Sequence, residues 1–366
     1  MRLLFLCSSP YQILVACCIL KNCYSDCKAD IIVADHMTDY EQLADRIKEK
    51  DLFENIYTAK IKEYDEFWSG LSKAGKVINL ISRNKIESTI KIDNKYDVFL
   101  CTNTDGFQIM FYAYLKRYNN HNIKAGLFED GLALYSFGEK FLKSNNNYIK
   151  GKIKKIFGLN MISEQIKEIY VFRPECMSWS PNVTVKKIPN INKDDKAFIS
   201  SLNEIFGYND MKDDYNKKII YFESGILDWK DSYEVQLLNI FSEYVSKEDI
   251  MVKIHPRDYD NRFKDKGYCT NNNRYVPWEI ISLNSDFDNT ILVTVASVSV
   301  ITPYVLFGKK VNAIILDKLY GSHECTDNYN YLKEYLEEYY YSRYPDMFFE
   351  PKTIDELKNY LEKYYN

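Results

Sequence analysis

Four short segments set side chains that move protons or bind anions directly after apolar runs. In Phe128-Glu129-Asp130-Gly131 two adjacent carboxylates follow a run of apolar residues and precede a glycine. Neighbouring carboxylates repel, which lifts the pKa of one into a range suited to accepting a proton. The competing reading of the same residues is a solvated Asp-Gly turn. In Lys253-Ile254-His255-Pro256-Arg257 one of only four histidines stands at the end of an apolar run that Pro256 terminates. An imidazole there can donate to a phosphate or protonate a leaving group; a loop histidine without a role is the alternative.

The third segment, Val295-Ala296-Ser297-Val298-Ser299, precedes a helical pattern with Pro303 in its first turns. Hydroxyls and unpaired N–H groups at a helix start bind phosphate, although the same serines serve as N-caps. The fourth, Val276-Pro277-Trp278-Glu279, opens the helix between His255 and Ser297. Glu279 can reach the ribose or base of a nucleotide from there, while a first-turn Glu is equally explained by the helix dipole. Asp286-Phe287-Asp288 has the spacing of a manganese-binding Asp-x-Asp, but two carboxylates rarely complete a coordination sphere, so a solvated turn is the better reading. Neither GxGxxG nor P-loop spacing occurs, which speaks against a dehydrogenase or an NTPase.

These residues need elements to position them, and short apolar runs alternate with amphipathic stretches through most of the chain. The first half predicts strands at Leu3–Cys7, Asp30–Ala34, Asn55–Ala59, Asp97–Thr102, Ala125–Phe128 and Ile169–Phe172. Helices are expected between them at Pro10–Lys21, Tyr40–Lys48, Glu63–Ser82 and Gly106–Arg117. The second half restarts with strands at Lys218–Phe222, Ile250–Ile254, Thr290–Val295 and Val311–Leu316. Its helices are expected at Ser232–Glu243, Val276–Leu283, Ser299–Leu306, Tyr329–Tyr340 and Thr353–Tyr364. The polar stretch Ile188–Lys196, with Pro189, is the linker candidate. The pattern predicts an α/β protein of two Rossmann-like domains, 1–190 and 191–366, facing across a cleft. All four segments then fall at the carboxyl ends of strands or the starts of the following helices, where such sheets bind ligands.

Composition narrows the class. At 366 residues the chain is too long for one ordinary core. With 46% hydrophobic and 27% charged residues it is globular rather than disordered, and a net charge of −4 argues against nucleic acid as a partner. Of nine cysteines, Cys7, Cys17, Cys18 and Cys101 sit in apolar runs as small hydrophobes, and Cys23–Cys27 lacks a second pair for zinc. A reducing, cytoplasmic setting is expected. The apolar N-terminus is too short for a signal peptide or a membrane span and reads as a buried first strand. The acid-free stretch Lys140–Lys155, carrying Lys140, Lys143, Lys150, Lys152, Lys154 and Lys155, is either a solvated loop and helix face or a peripheral contact with an anionic membrane.

Taken together, Cys7-Ser8-Ser9-Pro10-Tyr11-Gln12, Glu129-Asp130-Gly131, His255-Pro256 and the Ser297/Ser299 pair resemble bacterial sialyltransferases. The resemblance is nearest to the lipooligosaccharide sialyltransferase family, glycosyltransferase family 52. The acidic-acidic-Gly and His-Pro motifs are shared more widely, including with bacterial polysialyltransferases. The resemblance implies the two-domain glycosyltransferase B fold, CMP-N-acetylneuraminic acid as donor, and inversion without metal or cofactor. The first domain would carry the acceptor side and the base, the second the CMP-sugar. Glu129 would be the leading base and Asp130 the next; Asp228, early in the second domain, matches an acid considered as base in the lipooligosaccharide branch. His255, with Lys253 and Pro256 in the same motif, would meet the donor phosphate. Ser297 and Ser299 would hold that phosphate and Glu279 the cytidine. The family pair of hydroxyls is adjacent, whereas Val298 separates them here, so one hydroxyl alone is expected at the phosphate. The acceptor implied is an oligosaccharide ending in galactose on a bacterial surface glycan, and a homodimer is compatible. Two rivals stand beside this reading: a transferase of the same fold using another nucleotide sugar, and a non-catalytic carbohydrate-binding or capsule-assembly protein.

Overall fold

The computed structural model describes residues 1–72, 75, 84–104, 106–142, 162–223, 233–255, 261–273, 275–295, 297–320 and 333–365. Of the residues singled out above, Asp228, Pro256, Arg257 and the lysines from Lys143 to Lys155 lie outside them. The chain forms two compact units. One comprises Met1–Pro189 with Ala197–Phe206, the other Asn190–Lys196 with Gly207–Asn366. The helix Lys196–Ile205, which follows the linker stretch, therefore groups almost entirely with the first unit.

The first unit is built on a seven-stranded, wholly parallel sheet. Its strands are β1 (Arg2–Cys7), β2 (Lys28–Ala34), β3 (Asn55–Ala59), β4 (Val98–Cys101), β5 (Lys124–Phe128), β6 (Ile166–Val171) and β7 (Thr184–Lys187), in the order β3-β2-β1-β4-β5-β6-β7. Inner strands such as β1 from Leu3 onward and β4 are apolar on both faces and buried, as parallel strands covered by helices must be. Gly126 in β5 is needed for close packing, because a Cβ there would stand 2.7 Å from Leu100 Cδ2. Only Ser8 and Ser9 separate β1 from the helix Pro10–Cys23. Ser9 caps that helix by accepting from the Gln12 N–H, and Pro10 opens it, where its missing N–H costs nothing.

The second unit repeats the architecture with β8 (Ile219–Phe222), β9 (Ile250–Lys253), β10 (Cys269–Thr270), β11 (Ile291–Thr294), β12 (Asn312–Ile315) and β13 (Phe348–Phe349), ordered β10-β9-β8-β11-β12-β13 and again all parallel. Its core joins Tyr221, Val252, Val293 and Ile314 from the strands with Leu238, Phe241, Leu357 and Leu361 from helices.

Departures from the expected elements have local causes. Strands β7, β10 and β13 were not anticipated; each is a sheet edge, short, with part of its surface open. The helix expected over Glu63–Ser82 runs from Ile61 to Gly70, where Leu71 is already extended. The helix expected from Ser299 splits into a 3-10 turn, Val298–Ile301, and an α-helix, Thr302–Phe307. Pro303 accounts for the split, since a proline belongs in the first turn of an α-helix and not further along it. The helix expected over Tyr329–Tyr340 has a π-helical end, Glu337–Tyr341. Asp286 and Asp288 form an exposed turn in which the Asp288 N–H donates to Asp286 Oδ1 at 3.2 Å. Among the described residues no group of His, Cys, Asp or Glu could hold a metal, and every cysteine is free. Also among the described residues, no helix is long and apolar enough to cross a membrane.

Candidate active site

In the first unit the chemistry gathers at the carboxyl end of β5. The strand ends at Phe128, and the next two residues point their carboxylates to different environments. Glu129 is fully buried, while Asp130 is exposed. Gly131 then takes a left-handed turn with φ of +59°, a conformation open to glycine at no steric cost. The turn releases the chain into the helix Ala133–Leu142.

Glu129 is held from three directions. Its Oε1 accepts from the Tyr11 hydroxyl; its Oε2 accepts from the Tyr135 hydroxyl and, at 2.7 Å, from the Phe172 N–H. Its own N–H donates to the Tyr170 carbonyl at 3.0 Å, extending the ladder to β6. Tyr135 in turn accepts from the Arg173 N–H at 3.1 Å. Every donor to this carboxylate is neutral. Burial therefore pushes Glu129 up to about 7, and the three hydrogen bonds offset that only in part. Asp130 has a different tether: the Gln12 amide donates to its Oδ2 at 2.8 Å, and Gln12 Oε1 accepts from the Ser8 N–H at 2.5 Å. Loss of hydration among its neighbours raises the Asp130 carboxyl, with Gln12 acting against the rise. Tyr11 and Gln12 thus orient both acids from the first turn of the helix after β1.

In the second unit the candidate residues stand at the carboxyl ends of β9 and β11, the two strands that flank β8. His255 leaves β9, half-buried, and its backbone N–H donates to Glu223 Oε2 at 2.8 Å. Glu223 lies one residue beyond β8. Its other oxygen pairs with Arg262 at 3.1 Å, and Arg262 also pairs with Glu234 at 2.5 Å. Ser297 and Ser299 follow β11. Although Val298 separates them, the 3-10 turn brings their Oγ atoms to 3.0 Å, with Ser297 donating, so both hydroxyls lie together. The Ser297 N–H is fixed by Thr294 Oγ1 at 2.7 Å, and the Ser299 carbonyl accepts from Trp278 Nε1 at 2.9 Å. That last bond ties the serines to the start of the helix Trp278–Asn284, which carries Glu279. Glu279 and Lys253 feel each other's charge. Desolvation raises the first and lowers the second, and their mutual attraction opposes both shifts.

The structure thus brings Glu129 and Asp130 together in one unit, and His255, Ser297, Ser299, Glu279 and Lys253 onto one sheet end in the other. Sequence reasoning gave no role to Tyr135, Glu223, Arg262 or Asn271, and quoted Tyr11 and Gln12 without one. The Tyr-Gln pair after Pro10 was a readable signal, because it opens the first helix of a parallel sheet. Tyr135 and Arg262 carried none, since their partners lie 6 and 39 residues back and the strand order decides the meeting.

Two parallel-sheet α/β units, with the candidate groups at the carboxyl ends of their strands, make up the glycosyltransferase B fold. The glycosyltransferase of kitacinnamycin has this fold, with a TM-score of 0.50 at 11% identity over 100% of this chain and 90% of that one. The spinosyn rhamnosyltransferase SpnG is similar at a TM-score of 0.46 and 9% identity, over 100% of this chain and 89% of that chain. Arabidopsis thaliana UGT89C1 complexed with UDP reaches 0.49 at 10% identity, over 99% and 89%. No curated protein matches the chain. The family described as alpha-2,8-polysialyltransferase (POLYST) matches residues 3–315, and the chain belongs to that family. It is therefore a sialyltransferase of the bacterial kind.

Proposed function

We propose that the protein transfers N-acetylneuraminic acid from CMP-N-acetylneuraminic acid, with inversion and without a metal, to the terminal sugar of a bacterial surface glycan. The observation that carries this reading is that His255 and two converged hydroxyls, Ser297 and Ser299, stand at the carboxyl ends of strands of the same sheet. As CMP departs, charge accumulates on its phosphate. A histidine and two fixed hydroxyls supply donors to that charge without needing a cation. Lys253 and Glu279, close enough to feel each other's charge, offer a donor and an acceptor to the nucleoside.

The base in this reading is Asp130 rather than Glu129. The support is accessibility: Asp130 is exposed and aimed by Gln12, whereas both oxygens of buried Glu129 are already taken. Glu129 then anchors the turn that presents Asp130. With a transition state of oxocarbenium character, the base takes the acceptor proton late, and a carboxyl raised above its ordinary value suits that task. The family description favours the 8-hydroxyl of a terminal sialic acid as acceptor over a terminal galactose. Homodimer formation and contact with the inner membrane face belong to the same proposal.

The test is release of CMP from CMP-N-acetylneuraminic acid in EDTA, with sialic acid-terminated and galactose-terminated oligosaccharides as acceptors. Turnover that survives EDTA and falls about 10²-fold or more in His255→Ala and Asp130→Asn supports donor, metal independence and both roles. Consumption of a different nucleotide sugar alone would keep the fold and overturn the donor. Preference for the galactose-terminated acceptor would reverse the acceptor assignment.

A further inference from the structure

The chain leaving β9 is gripped from both sides by buried side chains outside the candidate donor-binding set. Strands β8 and β9 are in register with Phe222 beside Lys253. One residue further, the Glu223 N–H donates to the Lys253 carbonyl at 3.2 Å. The Glu223 carboxylate then reaches past it to the His255 N–H at 2.8 Å, so one residue holds both ends of the Lys253–His255 segment. From the other side Asn271, just past β10, accepts the intervening Ile254 N–H at 2.7 Å. Glu223 and Asn271 are 3% and 2% exposed.

A buried carboxylate needs compensation, and here it is built in. Arg262 bridges Glu223 to Glu234, and the Tyr221 hydroxyl closes the chain by donating to Glu234 Oε1 at 2.9 Å. The Glu223 and Glu234 side chains are each 2% exposed and the Arg262 side chain 19%. Burying two acids and a guanidinium is expensive, and apolar residues would stabilise the unit as well or better. What an apolar core cannot do is accept the His255 N–H and so fix where the imidazole begins. We infer that Glu223, backed by Arg262 and Glu234, is a positioning residue that sets the backbone of His255 for the departing phosphate. This rests on the reading of His255 as the group that meets that phosphate.

The experiment is CMP release from CMP-N-acetylneuraminic acid by wild type, His255→Ala, Glu223→Ala, Glu223→Gln and the double variant Glu223→Ala/His255→Ala, each with a thermal melt. Glu223→Ala should lower kcat about 30- to 100-fold with KM within about threefold, the scale of a misplaced catalytic group. Glu223→Gln keeps an oxygen for the His255 N–H while losing the charge pair, and should recover about tenfold of that loss. In the His255→Ala background the Glu223 change should cost less than about twofold more, because the two act as one unit. Fully additive losses, a change confined to KM, or a Gln variant no better than Ala would each overturn the positioning role. If Glu223→Ala does not fold, the Gln variant and its double with His255→Ala carry the same comparison. A His255→Ala enzyme with normal turnover would overturn the reading of the histidine itself, a different failure from additivity in an impaired one.

Discussion

The two units solve one problem with different chemistry. Each sets a candidate side chain at a strand tip next to a buried glutamate: Glu129 beside Asp130 in the first, Glu223 bonded to the His255 N–H in the second. Glu129 is satisfied by two tyrosine hydroxyls and an amide, all neutral, whereas Glu223 faces the guanidinium of Arg262. Hydrogen bonds from neutral donors fill the lone pairs but leave the charge uncompensated, so Glu129 is pushed up to about 7. The comparison teaches that a buried carboxylate can be anchored with its proton in play or with its charge paired, and that each choice leaves a different signature.

The largest expected effects concern the presented groups. His255→Ala and Asp130→Asn should each cut turnover by about 10²- to 10⁴-fold, measured as CMP release with acceptor at saturation. A Glu129→Gln loss larger than that of Asp130→Asn would reverse the roles of anchor and base. Next come the anchors themselves. Arg262→Met leaves Glu223 and Glu234 buried without their cation and should destabilise the second unit by about 3–5 kcal/mol in urea unfolding. Tyr135→Phe removes one neutral donor from Glu129 and should cost the first unit only about 1–3 kcal/mol. Equal costs would erase the contrast between paired and unpaired anchors.

A pH series sharpens it further. The folded pKa of Glu129 lies above its ordinary value of 4.5. The native state therefore binds more protons than the unfolded one between about pH 4.5 and 7. Stability from the protonated carboxyl is fully present below that window and is lost as pH rises through 7. Glu129→Gln should flatten this part of the stability–pH curve, read by chemical denaturation at pH 5 and pH 8. An unchanged slope would mean that Glu129 is ionised throughout. The smallest effect is expected at Ser297, whose hydroxyl caps the 3-10 turn as well as facing Ser299. Ser297→Ala should weaken CMP binding about five- to tenfold, the value of about 1 kcal/mol for one cap and one neutral hydrogen bond.

Much of this was legible in the residues. The runs Ala125–Phe128 and Ile250–Ile254 read as strands, which put the acids after Phe128 and the histidine after Ile254 at strand ends, as the structure has them. Three of the four edge strands were not legible: Cys269–Thr270 and Phe348–Phe349 are two residues long, and half of Thr184–Lys187 is lysine. Nor was the convergence of Ser297 and Ser299. It depends on Ser297 capping the 3-10 turn Val298–Ile301: its hydroxyl turns back to accept the Ser299 N–H and so lies beside the Ser299 hydroxyl.

The sequence by itself determined the alternation of strand and helix, the two-sheet plan and the four segments carrying chemistry, because hydrophobic periodicity and chain breakers act locally. Only the tertiary structure decided which of the two acids is buried and which is exposed. Glu129 and Asp130 are adjacent and chemically alike. What separates them is that Tyr11, Tyr135 and Phe172 arrive around one carboxylate and not the other. Desolvation and hydrogen bonding depend on neighbours in space, and strand order, not residue order, supplies those neighbours.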